Sequence, residues 1–97
     1  MLNLIETVTL RIFVKLGLEQ LKKPHDQQLD RDDVFAEAYE RATDLLDGEG
    51  FFVELDTDEF NAALFAAVIA ELAAENLDKE AMLRKAALAA VYFAPGP

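Results

Sequence analysis

The sequence predicts an α+β fold, a small single domain over residues 1–97 with its elements in the order β-α-β-α-α. Three features support this: a period-two apolar pattern near the N-terminus, an aromatic run after a glycine turn, and two alanine-rich helical stretches at the C-terminus. A chain of this length can bury one modest core. An all-α four-helix bundle is the alternative.

The first element is predicted as a strand because apolar residues occupy the even positions from Thr7 to Leu18. Such alternation is the period of a half-buried strand, and β-branched residues are frequent in it. Phe13 is the one large apolar residue at an odd position.

A helix over residues 4–23 stays open for the same segment. Asn3 and Glu6 have the spacing of a capping box, and the Lys22-Lys23-Pro24 sequence is typical of a helix end.

The next element is predicted as a helix over about 32–46, with aspartates at its start. The Asp-Gly-Glu-Gly sequence of residues 47–50 ends it, and residues 51–55 form a short apolar run that predicts a second strand. The expected inward stripe of the helix is Phe35, Ala38, Ala42 and Leu45, with Val34 and Leu46 beside it.

Residues 60–74 predict a central helix, with Asp56 as its N-cap and Asn76 as a left-handed stop. Large apolar residues fall on one half of this helix and alanines on the other. Because a helix that is apolar all round is normally buried, we expect it to be enclosed on both sides.

The last helix is predicted over 79–93, with Asp78 as its cap. It has its own face of small residues, and the simplest packing sets the two alanine faces against each other in an antiparallel hairpin. The face consists of Leu83, Ala86, Ala87, Ala90 and Ala94.

The net charge of −10 is concentrated in the middle of the chain. Residues 26–59 contain thirteen acidic residues against two arginines, a local charge of −11, whereas residues 1–25 carry +2. Direct nucleic-acid binding is not expected, since it requires clustered lysine and arginine. A basic protein partner is favoured through electrostatic steering.

The acidic residues of the predicted helix over residues 32–46 recur at spacings that place them on one helix face, about 5–6 Å apart along the axis. That separation is close to the phosphate spacing of a nucleic acid, so the face could imitate a polyanion. The alternative is a solvated face whose acidity only keeps the protein in solution. The predicted partner-binding residues are Asp33, Glu37, Glu40, Asp44, Asp47 and Glu49.

No residue pattern for catalysis, cofactor binding or metal binding is present. The chain has neither cysteine nor serine, and its single histidine, His25, lies in a polar loop without partners at ligand spacing. Glu71, the one ionisable residue of the central run, is expected to pair with Arg84 or Lys85. We therefore expect no enzymatic activity, no cofactor and no bound metal.

These features predict a small acidic protein-binding domain, an inhibitor of the antitoxin, immunity or phage type that covers a basic or nucleic-acid-binding surface. The alternative is a homodimeric structural or regulatory module that associates through a strand edge and Phe13. The longest apolar run, Ala62–Ala70, is about half of the roughly 20 residues that a membrane span needs. The N-terminus lacks a secretory pattern, so a cytoplasmic location without membrane contact is expected.

Overall fold

The computed structural model describes residues 2–46 and 57–95, which form four α-helices and one 3-10 turn. The elements are α1 (Leu4–Leu21), the turn His25–Gln27, α2 (Arg31–Leu45), α3 (Asp58–Ala73) and α4 (Lys79–Phe93). No strand occurs in either described range, so the predicted α+β fold is wrong and the alternative all-α bundle fits. The second predicted strand, residues 51–55, lies outside the described residues.

The first predicted strand is the helix α1, and the capping box that argued for a helix is present. The Glu6 amide donates to Asn3 Oδ1 at 2.9 Å, and the Asn3 amide donates to Glu6 Oε1 at 3.1 Å. Because α1 packs against α2, α3 and α4, it needs apolar residues round most of its circumference. Such a helix loses the one-sided pattern by which helices are recognised, and the alternation of its sequence does not reflect a sheet.

The helix α2 confirms the predicted helix to within one residue at each end. Its buried side follows the predicted stripe, except that Leu45 is 70% exposed. Asp30 holds the N-cap position through its backbone, but its side chain makes no capping hydrogen bond. The buried or partly buried members of the stripe are Val34, Phe35, Ala38 and Ala42.

The helices α3 and α4 form the predicted pair with a short connection. Thr57 caps α3 by accepting from the Phe60 amide at 3.1 Å, whereas the predicted cap, Asp56, lies outside the described residues. Asn76 has the predicted left-handed conformation, with φ of 55°. Asp78 caps α4 as predicted, its Oδ1 accepting from the Ala81 amide at 2.8 Å.

The predicted alanine-on-alanine packing of these two helices is wrong, and α3 is not enclosed on both sides. Its large residues face the core, but most of its alanines are exposed, as is Ile69 at 44%. The small-residue face of α4 also points outwards, with Leu83 60% exposed. Burying large side chains removes more apolar surface from water than burying alanines, which explains the orientation. The exposed small residues are Ala62, Ala66, Ala70, Ala73 and Ala74 on α3 and Ala87, Ala90 and Ala94 on α4.

The core is built round Phe13, which has no exposed surface. Its ring makes edge contacts with Phe35 at 5.1 Å and with Phe93 at 5.2 Å between centroids. Phe13 is therefore not available for the predicted homodimer contact, and neither described range offers a strand edge for it. The other fully buried large side chains are Phe60, Phe93, Leu64 and Val68.

Candidate functional site

Four of the six predicted partner-binding residues lie together on the outer surface of α2. Asp33, Glu37, Glu40 and Asp44 are all exposed, and they occupy the side of the helix away from buried Ala38. We call this set of four carboxylates the α2 acidic face. The remaining two predicted residues, Asp47 and Glu49, lie outside the described residues.

One cation partly offsets the charge of the α2 acidic face. Arg41 Nε donates to Glu37 Oε1 at 2.9 Å, in a surface pair of the i,i+4 type. The other three carboxylates make no ion pair with any part of the chain that the structure describes. A surface with three uncompensated charges along one helix face attracts cations and repels polyanions.

Comparison with known proteins adds no relative. The chain matches no known protein family, no curated protein and no solved structure.

The position of α2 is set by Arg31, its first residue, which is buried at 8% exposure. Its guanidinium carbon lies 5.2 Å from the Phe13 ring centroid and 5.3 Å from that of Phe35. Arg31 Nε also donates to the backbone carbonyl of Phe93 at 3.4 Å, and Nη1 contacts Asp32 Oδ1 at 3.2 Å. A cation is favourable at the C-terminus of α4, where the carbonyl groups of the last turn carry partial negative charge.

The residue that precedes the N-cap of α2 is fixed from two sides. The Leu29 amide donates to Gln20 Oε1 at 2.9 Å, and Tyr92 Oη donates to the Leu29 carbonyl at 3.1 Å. Partial burial of Tyr92, together with the negative charge of Asp30, raises the pKa of its hydroxyl, and Arg31 partly opposes this shift. These contacts connect α1, α2 and α4 at one end of the bundle, and they fix the start of the helix that carries the α2 acidic face.

Sequence reasoning missed both Arg31 and Tyr92. An arginine at the first position of a helix is unfavourable, because the helix N-terminus carries partial positive charge. This conflict is the sequence signal that could have identified Arg31 as a residue that is stabilised by other contacts. Nothing in the sequence indicated Tyr92, because its partner lies 63 residues away.

The other residues considered for chemistry do not converge. His25 is exposed in the 3-10 turn, and Glu71 is exposed without an ion pair in the described part of the chain. Lys85, one of the partners expected for Glu71, pairs instead with Glu75 at 3.1 Å. Among residues 2–46 and 57–95, no three acidic or histidine side chains are grouped to hold a metal ion. None of the described helices has the length and apolarity to cross a bilayer.

Proposed function

We propose that this chain is a non-enzymatic protein-binding domain, an inhibitor of the antitoxin, immunity or phage type. It acts in the cytoplasm by covering a basic surface of a target protein with the α2 acidic face. The observation that carries the proposal is the set of Asp33, Glu40 and Asp44, three exposed carboxylates on one helix face with no ion-pairing cation among the described residues. A target that binds nucleic acid offers the complementary surface, a row of lysine and arginine side chains.

The anchoring of the start of α2 supports this proposal. Arg31 and Leu29 hold the start of α2 against α4 and α1, so the carboxylates are presented in a fixed geometry before the target arrives. Preorganised charges lose less side-chain and segment entropy on binding than charges on a mobile segment do. Complementary charge also raises the association rate, which suits an inhibitor that must compete with nucleic acid for its target.

The proposal is tested by capture of the target from a lysate of the native host. The immobilised wild-type chain is compared with a triple variant, Glu37→Gln, Glu40→Gln and Asp44→Asn, which neutralises the face without changing its shape. We expect the wild type to retain a basic protein that added nucleic acid displaces, and the triple variant to lose it.

A second triple variant serves as the matched control. Asp26→Asn, Asp58→Asn and Glu80→Gln remove the same amount of charge from exposed positions outside α2. Equal loss of the target from both variants would show that only net charge matters, and it would contradict binding through the α2 acidic face. Retention of the target by the first variant would contradict it as well.

A further inference from the structure

A long open groove lies between α1 and α3, away from the α2 acidic face. Its volume is about 690 Å³, which is in the range of ligand-binding clefts. Leu10, Val14 and Leu18 of α1 form one wall, and Ala63 and Ala67 of α3 form the other. The α3 residues that line it extend from Ala63 to Glu71, a distance of roughly 12 Å along the helix, and the lining continues through Ala74 and Glu75 in the turn that follows.

The groove exists because α3 presents alanines to α1. A methyl side chain cannot reach across to Leu10 or Val14, so space remains that larger residues would have filled. Protein interiors are normally packed without such space. Leu10 and Val14 are only 6% and 4% exposed, so the apolar surface that an occupant could bury comes mainly from Leu18 and the alanines. Burying that surface against a convex apolar surface would be favourable.

The two rims of the groove carry opposite net charges: on the α1 side Arg11, Lys15 and Lys22 outnumber Glu19, and the other side carries Glu71 and Glu75. Arg11 and Lys15, one turn apart on α1, are exposed and have no ion pair within the described residues. Glu71 stands on the α3 rim, also exposed and without an ion pair there. Glu75 and Lys85 neutralise each other at one end. An occupant must therefore be convex and apolar, and it must carry acidic groups towards α1 and a basic group towards α3.

The shape of the groove and the charges of its rims favour one class of binding partner. A second copy of the chain would set groove against groove, which would enlarge the space instead of filling it, and two chains of net charge −10 repel each other. A long-chain alkyl anion would satisfy Arg11 and Lys15 but would also face Glu71. A helix carries side chains of both signs beside an apolar ridge, and small residues such as Ala67 let it approach closely.

We propose that the groove between α1 and α3 docks an amphipathic helix of a partner protein. Its large apolar side chains lie over Leu18 and the alanines, its acidic row contacts Arg11 and Lys15, and a basic side chain contacts Glu71. None of the carboxylates of the α2 acidic face lines the groove, so this surface is independent of the proposed inhibitory function. The molecule then has two binding surfaces, one for a basic protein surface and one for a helix.

The test uses the full chain and a synthetic peptide of about 18 residues, long enough to cover the groove as a helix of roughly 27 Å. Leucines form one face of the peptide, glutamates one flank and lysines the other. Titration into the isotope-labelled chain is followed by backbone amide chemical shifts. We expect saturable shifts centred on Val14 and Ala67.

Two pairs of matched variants locate the site. Ala67→Leu fills the groove and should weaken peptide binding at least about tenfold, which is about 1.4 kcal/mol. Ala66→Leu, at an exposed neighbour outside the groove, should leave it unchanged. Arg11→Glu with Lys15→Glu should weaken binding similarly, whereas Lys23→Glu with Lys79→Glu, which changes the net charge equally outside the groove, should not.

Three results would overturn the proposal. The first is a shift map that leaves α1 and α3 unchanged, or equal effects of Ala66→Leu and Ala67→Leu. The second is sedimentation showing that the peptide-free chain dimerises and that Ala67→Leu makes it monomeric. The third is saturable binding of dodecanoate in the groove by a chain that does not bind the peptide.

Discussion

The side chain of Arg31 reaches the backbone carbonyl of Phe93, so the first residue of α2 donates a hydrogen bond to the last residue of α4 at 3.4 Å. Sixty-two positions separate the two residues in sequence. The contact holds two helix ends of opposite partial charge together with one buried cation. It also fixes the direction of α2, on which the presentation of the α2 acidic face depends.

We expect Arg31→Ala to lower the free energy of unfolding by about 2–4 kcal/mol. The change removes a charge-assisted hydrogen bond, two cation–π contacts and the apolar stem of the side chain. Urea denaturation measures it, and Arg31→Met separates the packing of the stem from the polar contacts. Arg84→Ala, at an exposed position, should change stability by less than about 0.5 kcal/mol. A similarly small loss for Arg31→Ala would show that the buried cation does not hold α2 in place.

Tyr92→Phe should cost about 1 kcal/mol at neutral pH, since it removes the hydrogen bond to the Leu29 carbonyl. It should also change the pH dependence of stability at alkaline pH. Burial and Asp30 raise the pKa of Tyr92 in the folded state, so the folded protein retains its proton to higher pH than the unfolded chain. The resulting stabilisation is complete below the unfolded pKa of 10.0 and is lost as pH rises through the raised pKa.

Thermal denaturation from about pH 8 to pH 11 measures this effect as the difference between wild type and Tyr92→Phe. The difference removes the contribution of all ionisable groups that the two proteins share. We expect the stability advantage of the wild type to shrink towards the alkaline end. An advantage that grows with pH would contradict the assigned direction of the pKa shift.

Thr9→Val should stabilise the protein by about 1 kcal/mol. The Thr9 side chain is fully buried, and its hydroxyl has no hydrogen-bond partner among the described residues. Valine keeps the shape and removes an unsatisfied polar atom, whose burial costs about 1–3 kcal/mol. Thr43→Val is the matched comparison, because the Thr43 hydroxyl donates to the Tyr39 carbonyl at 2.9 Å and this bond would be lost. Calorimetry should therefore show a rise in Tm for the first variant and none for the second.

Gly17→Ala should destabilise the protein by about 1–3 kcal/mol, although alanine is favoured over glycine in a helix by about 1 kcal/mol. A Cβ at this buried position would overlap the Phe93 ring. The pair Gly17→Ala and Phe93→Leu should be less destabilised than the sum of its single variants, because leucine leaves room for the methyl group. Additive losses in urea denaturation would show that the close approach of Gly17 and Phe93 is not responsible.

The C-terminal half of the fold could be predicted from local signals. Asp78 and Asn76 are recognisable from sequence because capping and left-handed stops depend on the residue itself and its nearest neighbours. The helix α2 and its acidic side were predictable for a similar reason, since charged and apolar residues separate cleanly round one cylinder.

The remainder depends on contacts between distant residues. The helix α1 packs on three sides, so its apolar residues follow no single face, and the period-two pattern favoured the wrong structure. The α3 alanines point outwards because Phe60 and Leu64 occupy the core side of the helix. The sequence alone does not show which of the two faces of α3 is buried. Arg31 could be anticipated as an unusual first residue of a helix, but Phe93 could not be identified as its partner.

Binding through the α2 acidic face is tested most directly by the salt dependence of the dissociation constant for the target captured from the host. The affinity of the wild-type chain is measured from about 50 mM to about 500 mM salt, together with that of the Glu37→Gln, Glu40→Gln and Asp44→Asn variant. We expect a steep loss of affinity for the wild type, and for the variant a weaker affinity that changes little with salt. Equal affinities and equal salt slopes for the two proteins would contradict a binding role for these carboxylates.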